Sequence, residues 1–130
     1  MSFNFTKTVK KLYPSAKVKI MLLKDIYNIG NSNQGQSTEE TKLSGIYALY
    51  ENNNLMKIGK AVCGKGIFKR MSQYYRGSLA GLAAITSANR DKIVVQFFTL
   101  DGSEECWIAE RRLQIAAWDA GEKMPWEVKK

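Results

Sequence analysis

The chain has 130 residues, enough for one domain with a modest core and too few for two sizeable domains. Its 20 lysines and arginines outnumber its 12 aspartates and glutamates, and the formal charge of +8 favours a polyanionic partner such as nucleic acid. No apolar run approaches the roughly 20 residues that span a bilayer, and the N-terminus lacks the apolar core of a signal peptide, so we expect a cytoplasmic protein without a membrane partner.

The N-terminal segment has two predicted elements. Phe5 and Val9 stand at helical spacing and predict a short helix that ends before Pro14. After the proline, a second helix could start with Ser15 as its cap and run to Gly30. The alternation of polar and apolar residues in the same segment also allows a strand at residues 18–23.

A polar stretch follows this segment. Residues 31–41 contain no apolar side chain, so they cannot bury enough surface to offset the entropy of ordering, and they predict a mobile loop. We therefore divide the chain into an N-terminal arm with its polar loop, residues 1–43, and a core, residues 44–130, within a single compact domain overall.

The pattern typical of a β-hairpin begins at residue 45. Two short runs rich in strand-forming residues, 45–50 and 55–59, are separated by Glu51-Asn52-Asn53-Asn54, and asparagine tolerates the positive φ that tight hairpin turns need. A glycine-rich loop comes next, and then helical segments at residues 67–76 and 79–88.

The last part of the chain predicts a buried strand and a long helix. Residues 92–100 form a nearly continuous apolar run, which indicates the central strand of the sheet. The helix at residues 104–120 follows with one stripe of small apolar side chains and ends at Gly121. Together the elements predict an α+β fold with a small three-stranded sheet, mixed or antiparallel, flanked by helices and preceded by a helical arm.

Three side chains have the chemistry that phosphodiester hydrolysis requires, which is a positioned water, a route for its proton and positive charge on the phosphate. The chain has no histidine, so Tyr47 is the candidate general base or water-orienting group, since a nearby cation would lower the cost of its phenolate. Arg70 offers a planar fork of donors that fits a phosphate. Glu110, at the margin of the apolar helix face, is the candidate ligand for Mg²⁺ or Mn²⁺, because two cysteines without histidine are too few for a zinc cluster.

Each of these residues has an ordinary structural alternative. Tyr47 could be a packing residue of a strand, Arg70 a solvated side chain on an exposed helix, and Glu110 the partner of Arg111 or of a lysine. The three tryptophans are expected in the core or capping it, although an exposed one could stack on an unpaired base.

In their order along the chain, the motifs resemble those of the GIY-YIG nuclease superfamily. Its first strand carries Gly-Ile-Tyr, found here at residues 45–47, and its second ends in Tyr-Ile-Gly, for which this chain has Lys57-Ile58-Gly59, similar to a phage-type branch that ends this strand in Lys-Ile-Gly. The arginine on the next helix and the metal-binding glutamate on the helix after the third strand correspond to Arg70 and Glu110. A Pro-Trp-Asn closing segment of some members is similar to Pro125-Trp126-Glu127.

The resemblance also implies roles for neighbouring basic and phenolic residues. Tyr74 corresponds to a histidine one turn after the arginine, and a phenol can still donate a hydrogen bond to phosphate. Lys60 matches a basic residue often found after the second motif, and the Lys57 ammonium could replace a tyrosine's hydrogen bond while adding charge. Lys65 and Arg76 are added as further phosphate contacts.

The function expected from these residues and from the resemblance is a divalent-metal-dependent endonuclease of phage, mobile-element or restriction type. DNA is the preferred substrate, RNA is the alternative, and a homodimer would allow both strands to be cut. Two other functions stay open: a nucleic-acid-binding module that has lost cleavage, and an inhibitory or structural protein that binds an acidic protein partner.

Overall fold

The computed structural model describes residues 3–31, 42–62, 66–77 and 82–127, which contain four α-helices and four β-strands. The helices are α1 (Phe5–Leu12), α2 (Leu23–Asn31), α3 (Gly66–Arg76) and α4 (Ser103–Asp119). The strands are β1 (Lys19–Leu22), β2 (Gly45–Glu51), β3 (Asn54–Ala61) and β4 (Val94–Thr99), with a 3₁₀ turn, Arg90–Lys92, before β4.

The strands form one antiparallel sheet in the order β1-β4-β2-β3. The predicted α+β class and the interior position of β4 are confirmed. The predicted number of three strands is wrong for the described chain, because β1 pairs with β4 and adds a fourth. A strand rather than a helix forms here because polar and apolar residues alternate up to Ile20 and because β4 would otherwise present an unpaired edge. The helix expected from Ser15 begins only at Leu23.

The predicted hairpin is confirmed in β2 and β3. Asn52 and Asn53 have φ angles of 52° and 66°, the left-handed conformation that a two-residue turn between antiparallel strands requires. The pairing runs from Gly45 opposite Ala61 to Glu51 opposite Asn54, with an irregularity between Leu49 and Tyr50. The two short motifs of the sequence therefore lie side by side on neighbouring strands.

Helices cover both faces of the sheet. Side chains alternate along β2, so Tyr47 and Leu49 join the buried cluster beneath α2 and α3, while Ile46 and Ala48 join the cluster beneath α1 and α4. The hairpin is thus packed between two helical layers. β3 is an edge strand, and groups from both faces can meet solvent along it.

The helix predicted for residues 79–88 does not form in the part that the structure describes. Residues 82–89 make turns, and residues 78–81 lie outside the described chain. Thr86 and Asn89 explain the difference: the Asn89 side chain accepts from the Thr86 N–H at 2.7 Å and donates to the Ala84 carbonyl at 2.9 Å. Such local bonds from side chain to backbone compete with helical hydrogen bonding.

The long helix α4 agrees with its predicted pattern. Its buried stripe includes Cys106, Ala109, Leu113 and Ala117, and Glu110 lies at the margin, half-buried. The chain leaves the helix just before Gly121, which has a φ of 93°. Across the described ranges, no helix combines the length and apolar character needed to cross a bilayer. The polar loop predicted at residues 31–41 falls outside the described chain from residue 32 onward.

Candidate functional site

The phenol of Tyr47 lies across the neighbouring strand, over Gly59. These residues are opposite each other in the β2–β3 register, and a Cβ at position 59 would overlap the Tyr47 hydroxyl and the ring carbon that bears it. Only glycine leaves this space to the ring. The glycine that ends Lys57-Ile58-Gly59 and the tyrosine that ends Gly45-Ile46-Tyr47 are thus held together by packing.

A hydrogen bond joins the Tyr47 hydroxyl to the hydroxyl of Tyr74 on α3. The two rings meet edge to face, with centroids 5.9 Å apart and an interplanar angle of 72°. Both side chains are buried, with 1% of Tyr47 and 4% of Tyr74 exposed. The helix α3 therefore brings one phenol onto the other inside the layer between α3 and the sheet.

Burial decides the ionisation of both phenols. It is the largest influence on the pKa of Tyr47, which lies well above its ordinary value, and on the pKa of Tyr74, which is also raised. The charge of Arg70 lowers both pKa values, but burial outweighs it. Burial thus favours the neutral phenol in both residues, and the proposed role of Tyr47 as a general base or water-orienting group beside a cation stays a prediction.

Arg70 stands one helical turn before Tyr74 on α3. Its guanidinium carbon is 6.0 Å from the centre of the Tyr74 ring, and one of its nitrogens donates to the Gln73 side chain at 3.2 Å. Arg70 therefore lies beside the phenol pair, and its charge lowers the pKa of both phenols. It is half-buried, which restricts the directions that its fork of donors can take.

On the other face of the sheet, Lys60 lies between Glu110 and Trp107. Its ammonium donates to the Glu110 carboxylate at 3.3 Å and lies 4.3 Å from the centre of the Trp107 ring. Glu110 also raises the pKa of Tyr47 and of Tyr74, as the smallest of the influences on each. The carboxylate and the phenols therefore lie on opposite faces of the sheet, on either side of β3.

Lys57 forms an ion pair that the sequence did not suggest. Its ammonium lies 3.1 Å from the Glu127 carboxylate, and only 15% and 12% of the two side chains are exposed. Glu127 also raises the pKa of Tyr74. The sequence held one indication of this pair. Both residues differ from the motifs that the chain resembles, with lysine in place of tyrosine and glutamate in place of asparagine, and in the structure these two residues bind each other.

One of the proposed phosphate contacts, Arg76, is not part of this arrangement. Arg76 is exposed in the last turn of α3, two residues after Tyr74, and so points roughly 200° away from it around the helix. Lys65 lies outside the described residues. The side chains that do gather along the β3 edge are those of Tyr47, Lys57, Lys60, Arg70, Tyr74, Glu110 and Glu127.

A metal site can be tested only against Glu110. The described residues contain no group of three or more acidic, cysteine or histidine side chains that could enclose an ion. Mg²⁺ retains several waters and often takes only one or two protein carboxylates together with phosphate oxygens, so one half-buried glutamate beside a phosphate fits this kind of site. Within the described chain, the carboxylate has one hydrogen-bond donor, Lys60, which an arriving cation would have to displace or share.

Comparisons of the chain with protein-family models, with curated proteins and with solved structures find no match.

Proposed function

We propose that this protein is a divalent-metal-dependent endonuclease that hydrolyses phosphodiester bonds of DNA at the β3 edge. The observation that carries the proposal is the pair of phenols, Tyr47 and Tyr74, which share a hydrogen bond while the guanidinium carbon of Arg70 lies 6.0 Å from the centre of the Tyr74 ring. Glu110 lies on the other face of the sheet, where it accepts a hydrogen bond from Lys60 of β3, and the phenol, guanidinium and carboxylate follow one another in the chain in the order in which the GIY-YIG nucleases carry them. The net charge of +8 fits a DNA substrate.

In the proposed reaction, the oxygen of one water bonds to phosphorus, the bond from phosphorus to the leaving oxygen breaks, and the proton that the water loses passes through solvent to the leaving oxygen. Arg70 binds the scissile phosphate, because its planar donors match two phosphate oxygens and keep their charge at any working pH. Tyr47 acts as a neutral phenol that fixes the Tyr74 hydroxyl, and Tyr74 donates to the phosphate or orients the water. This role of Tyr47 is indirect, unlike the general-base or water-orienting role that the sequence predicts, and it suits a phenol that is 1% exposed and whose pKa is raised by burial.

Glu110 would hold the divalent ion, which supplies positive charge to the phosphate and lowers the pKa of a bound water. Lys60 pairs with the Glu110 carboxylate, and its ammonium can turn to a phosphate oxygen when DNA binds. One site holds one phosphate, so cutting both strands calls for two copies of the chain, and a homodimer belongs to the proposal. The expected location is the cytoplasm.

The same ion pairs favour a second candidate, a nucleic-acid-binding module without cleavage. Lys60 neutralises Glu110 and Lys57 neutralises Glu127, so both carboxylates near the phenols already have cationic partners. If Lys60 stays bound to Glu110 and excludes a metal ion, the basic residues along β3 bind phosphate without catalysing its hydrolysis.

A plasmid assay separates the two functions. We expect the protein to nick supercoiled plasmid in Mg²⁺ but not in EDTA, and Glu110→Gln to reduce the rate at least about a hundredfold. Glu104→Gln is the matched control, an exposed glutamate of the same helix that should retain full activity. Binding that weakens steeply with salt, without nicking by the wild type, would support the binding module instead.

A further inference from the structure

Trp107 is the most exposed tryptophan of the chain and lies beside the candidate site. It is 62% exposed, whereas Trp118 and Trp126 are partly buried against the two core clusters. Tryptophan is usually among the more buried residues, whereas the Trp107 indole packs in neither core cluster and contributes little to the core. Its position in the helix follows from its place one residue after buried Cys106, about 100° away from the apolar stripe.

The Trp107 ring is held in place from one side. The Lys60 ammonium lies 4.3 Å from the ring centre and donates at the same time to Glu110, three residues further along α4. One ammonium group thus separates the indole from the proposed metal ligand. Lys60 lies over the ring, and the 62% of the side chain that stays exposed is available for stacking.

The surface around the ring matches a nucleic-acid strand. Arg111 is exposed and lies four residues after Trp107, on the same side of α4, where it offers charge to a neighbouring phosphate. Glu104 and Glu105 occupy the first turn, so the positive charge lies on the C-terminal side of the ring. A base inside a duplex is stacked on both sides, and its face is accessible only when the nucleotide is unpaired or turned out.

We propose that Trp107 is a stacking platform for one unpaired base next to the phosphate held at the site, and that the substrate is nucleic acid with unpaired nucleotides rather than continuous duplex. This inference rests on the proposed function for the position of the phosphate, but the stacking itself needs no cleavage. The competing occupant is a second copy of the chain, since Ile108 and Ile115 are 41% and 48% exposed on the same helix. Arg111 and Arg112 stand between these two isoleucines in α4. They favour nucleic acid over a second copy of the chain, because two copies packed on this helix would bring the positive charges together.

The test is a binding measurement in EDTA, where no metal-dependent cleavage occurs. Fluorescence anisotropy would follow two labelled probes, an oligothymidylate of about 12 nucleotides and a blunt duplex of the same length. Trp107→Ala should weaken binding to the single strand about fivefold or more and change duplex binding less than about twofold. Trp107→Phe should recover much of the loss, and Ile115→Ala, which removes an exposed apolar side chain of the same helix, should bind both probes like the wild type.

Three results would overturn the inference: no loss with Trp107→Ala, an equal loss on both probes, or a change in sedimentation that shows a dimer falling apart. None of these results bears on the plasmid assay, and Mg²⁺-dependent nicking would support the nuclease independently of them. Conversely, a selective loss on the single strand together with the absence of nicking would keep the stacking platform and reject the nuclease.

Discussion

Tyr47 lies opposite Gly59 in the hairpin, and its phenol fills the space in which a side chain at position 59 would stand. The ring crosses β3 at the one residue without a Cβ and reaches the hydroxyl of Tyr74 on the helix that follows. The two short motifs therefore have a joint structural purpose, which is to fix one phenol beneath α3. Any role in chemistry depends on this packing.

Replacing Gly59 should destabilise the fold through Tyr47. We expect Gly59→Ala to lower the free energy of unfolding by about 1–3 kcal/mol, because the added methyl group overlaps the Tyr47 phenol and the backbone of a paired strand cannot move far. Urea denaturation would measure the loss. The matched control is the double variant Tyr47→Leu/Gly59→Ala, in which the shorter side chain makes room, so its cost should be smaller than the sum of the two single costs. Additive costs would show that the phenol is not what excludes a side chain at position 59.

The hairpin, the interior strand and the stripe of α4 could be predicted because each depends on residues close together in sequence. Asn52 and Asn53 announce a turn with positive φ by their own conformational preference. By contrast, β1 has four residues, and a pattern that short fits either a strand or part of a helix. Its strand form is decided by β4, which lies more than seventy residues further along the chain.

The residue types of the candidate site can be chosen from the sequence, but only part of their electrostatics follows from it. Glu110 at the margin of an apolar stripe follows from helical geometry. The raised pKa of Tyr47 does not follow from helical geometry, because it depends on how completely α3 covers the sheet. The pairing of Lys57 with Glu127 joins the hairpin to the C-terminal segment, and no local pattern indicates such a contact.

The bond between the two phenols should contribute measurably to stability. Tyr47→Phe leaves the buried Tyr74 hydroxyl without its partner, and we expect a loss of about 1–2 kcal/mol in the free energy of unfolding. Tyr47→Phe/Tyr74→Phe removes both hydroxyls and should cost less than the two single changes combined. Tyr75→Phe is the control, because its hydroxyl bonds Asp91 at the surface and its loss should matter by less than about 0.5 kcal/mol. If Tyr47→Phe were as mild as this control, the buried bond would contribute nothing.

Alkaline pH should unfold the protein through its buried phenols. Burial raises the pKa values of Tyr47 and Tyr74, and it raises the pKa of Tyr50 to about 12. In the unfolded chain these phenols titrate near pH 10. Below that pH both states keep the protons and the contribution to stability is complete. Above it the unfolded chain releases protons that the folded chain retains, so the free energy of unfolding falls as the pH rises from about 10 to 12.

The double variant Tyr47→Phe/Tyr74→Phe can show whether these two phenols cause the loss of stability at alkaline pH. Urea denaturation of the wild type between about pH 8 and pH 11 should show a decline that is shallower in Tyr47→Phe/Tyr74→Phe, each protein being compared with its own value at about pH 8. Deprotonation of surface lysines affects both proteins alike and cancels in the comparison. A decline of equal steepness in the two proteins would mean that these phenols titrate normally in the folded state.

The ion pair of Lys57 and Glu127 should behave as a unit, since each charge is largely shielded from water and lies beside the other at 3.1 Å. Lys57→Tyr leaves an unpaired carboxylate near Tyr74, and Glu127→Asn leaves an unpaired ammonium, so each change alone should cost about 1 kcal/mol or more in the free energy of unfolding. The double variant Lys57→Tyr/Glu127→Asn leaves no buried charge and restores the residues that the resembling nucleases carry. We expect it to be more stable than either single variant and to nick plasmid at least as well as the wild type.

Lys123→Tyr, at an exposed position of the same C-terminal segment, controls for the general effect of exchanging a lysine for a tyrosine. Strictly additive losses in the double variant would show that the two residues are neighbours without mutual dependence, and the compensation would then be rejected.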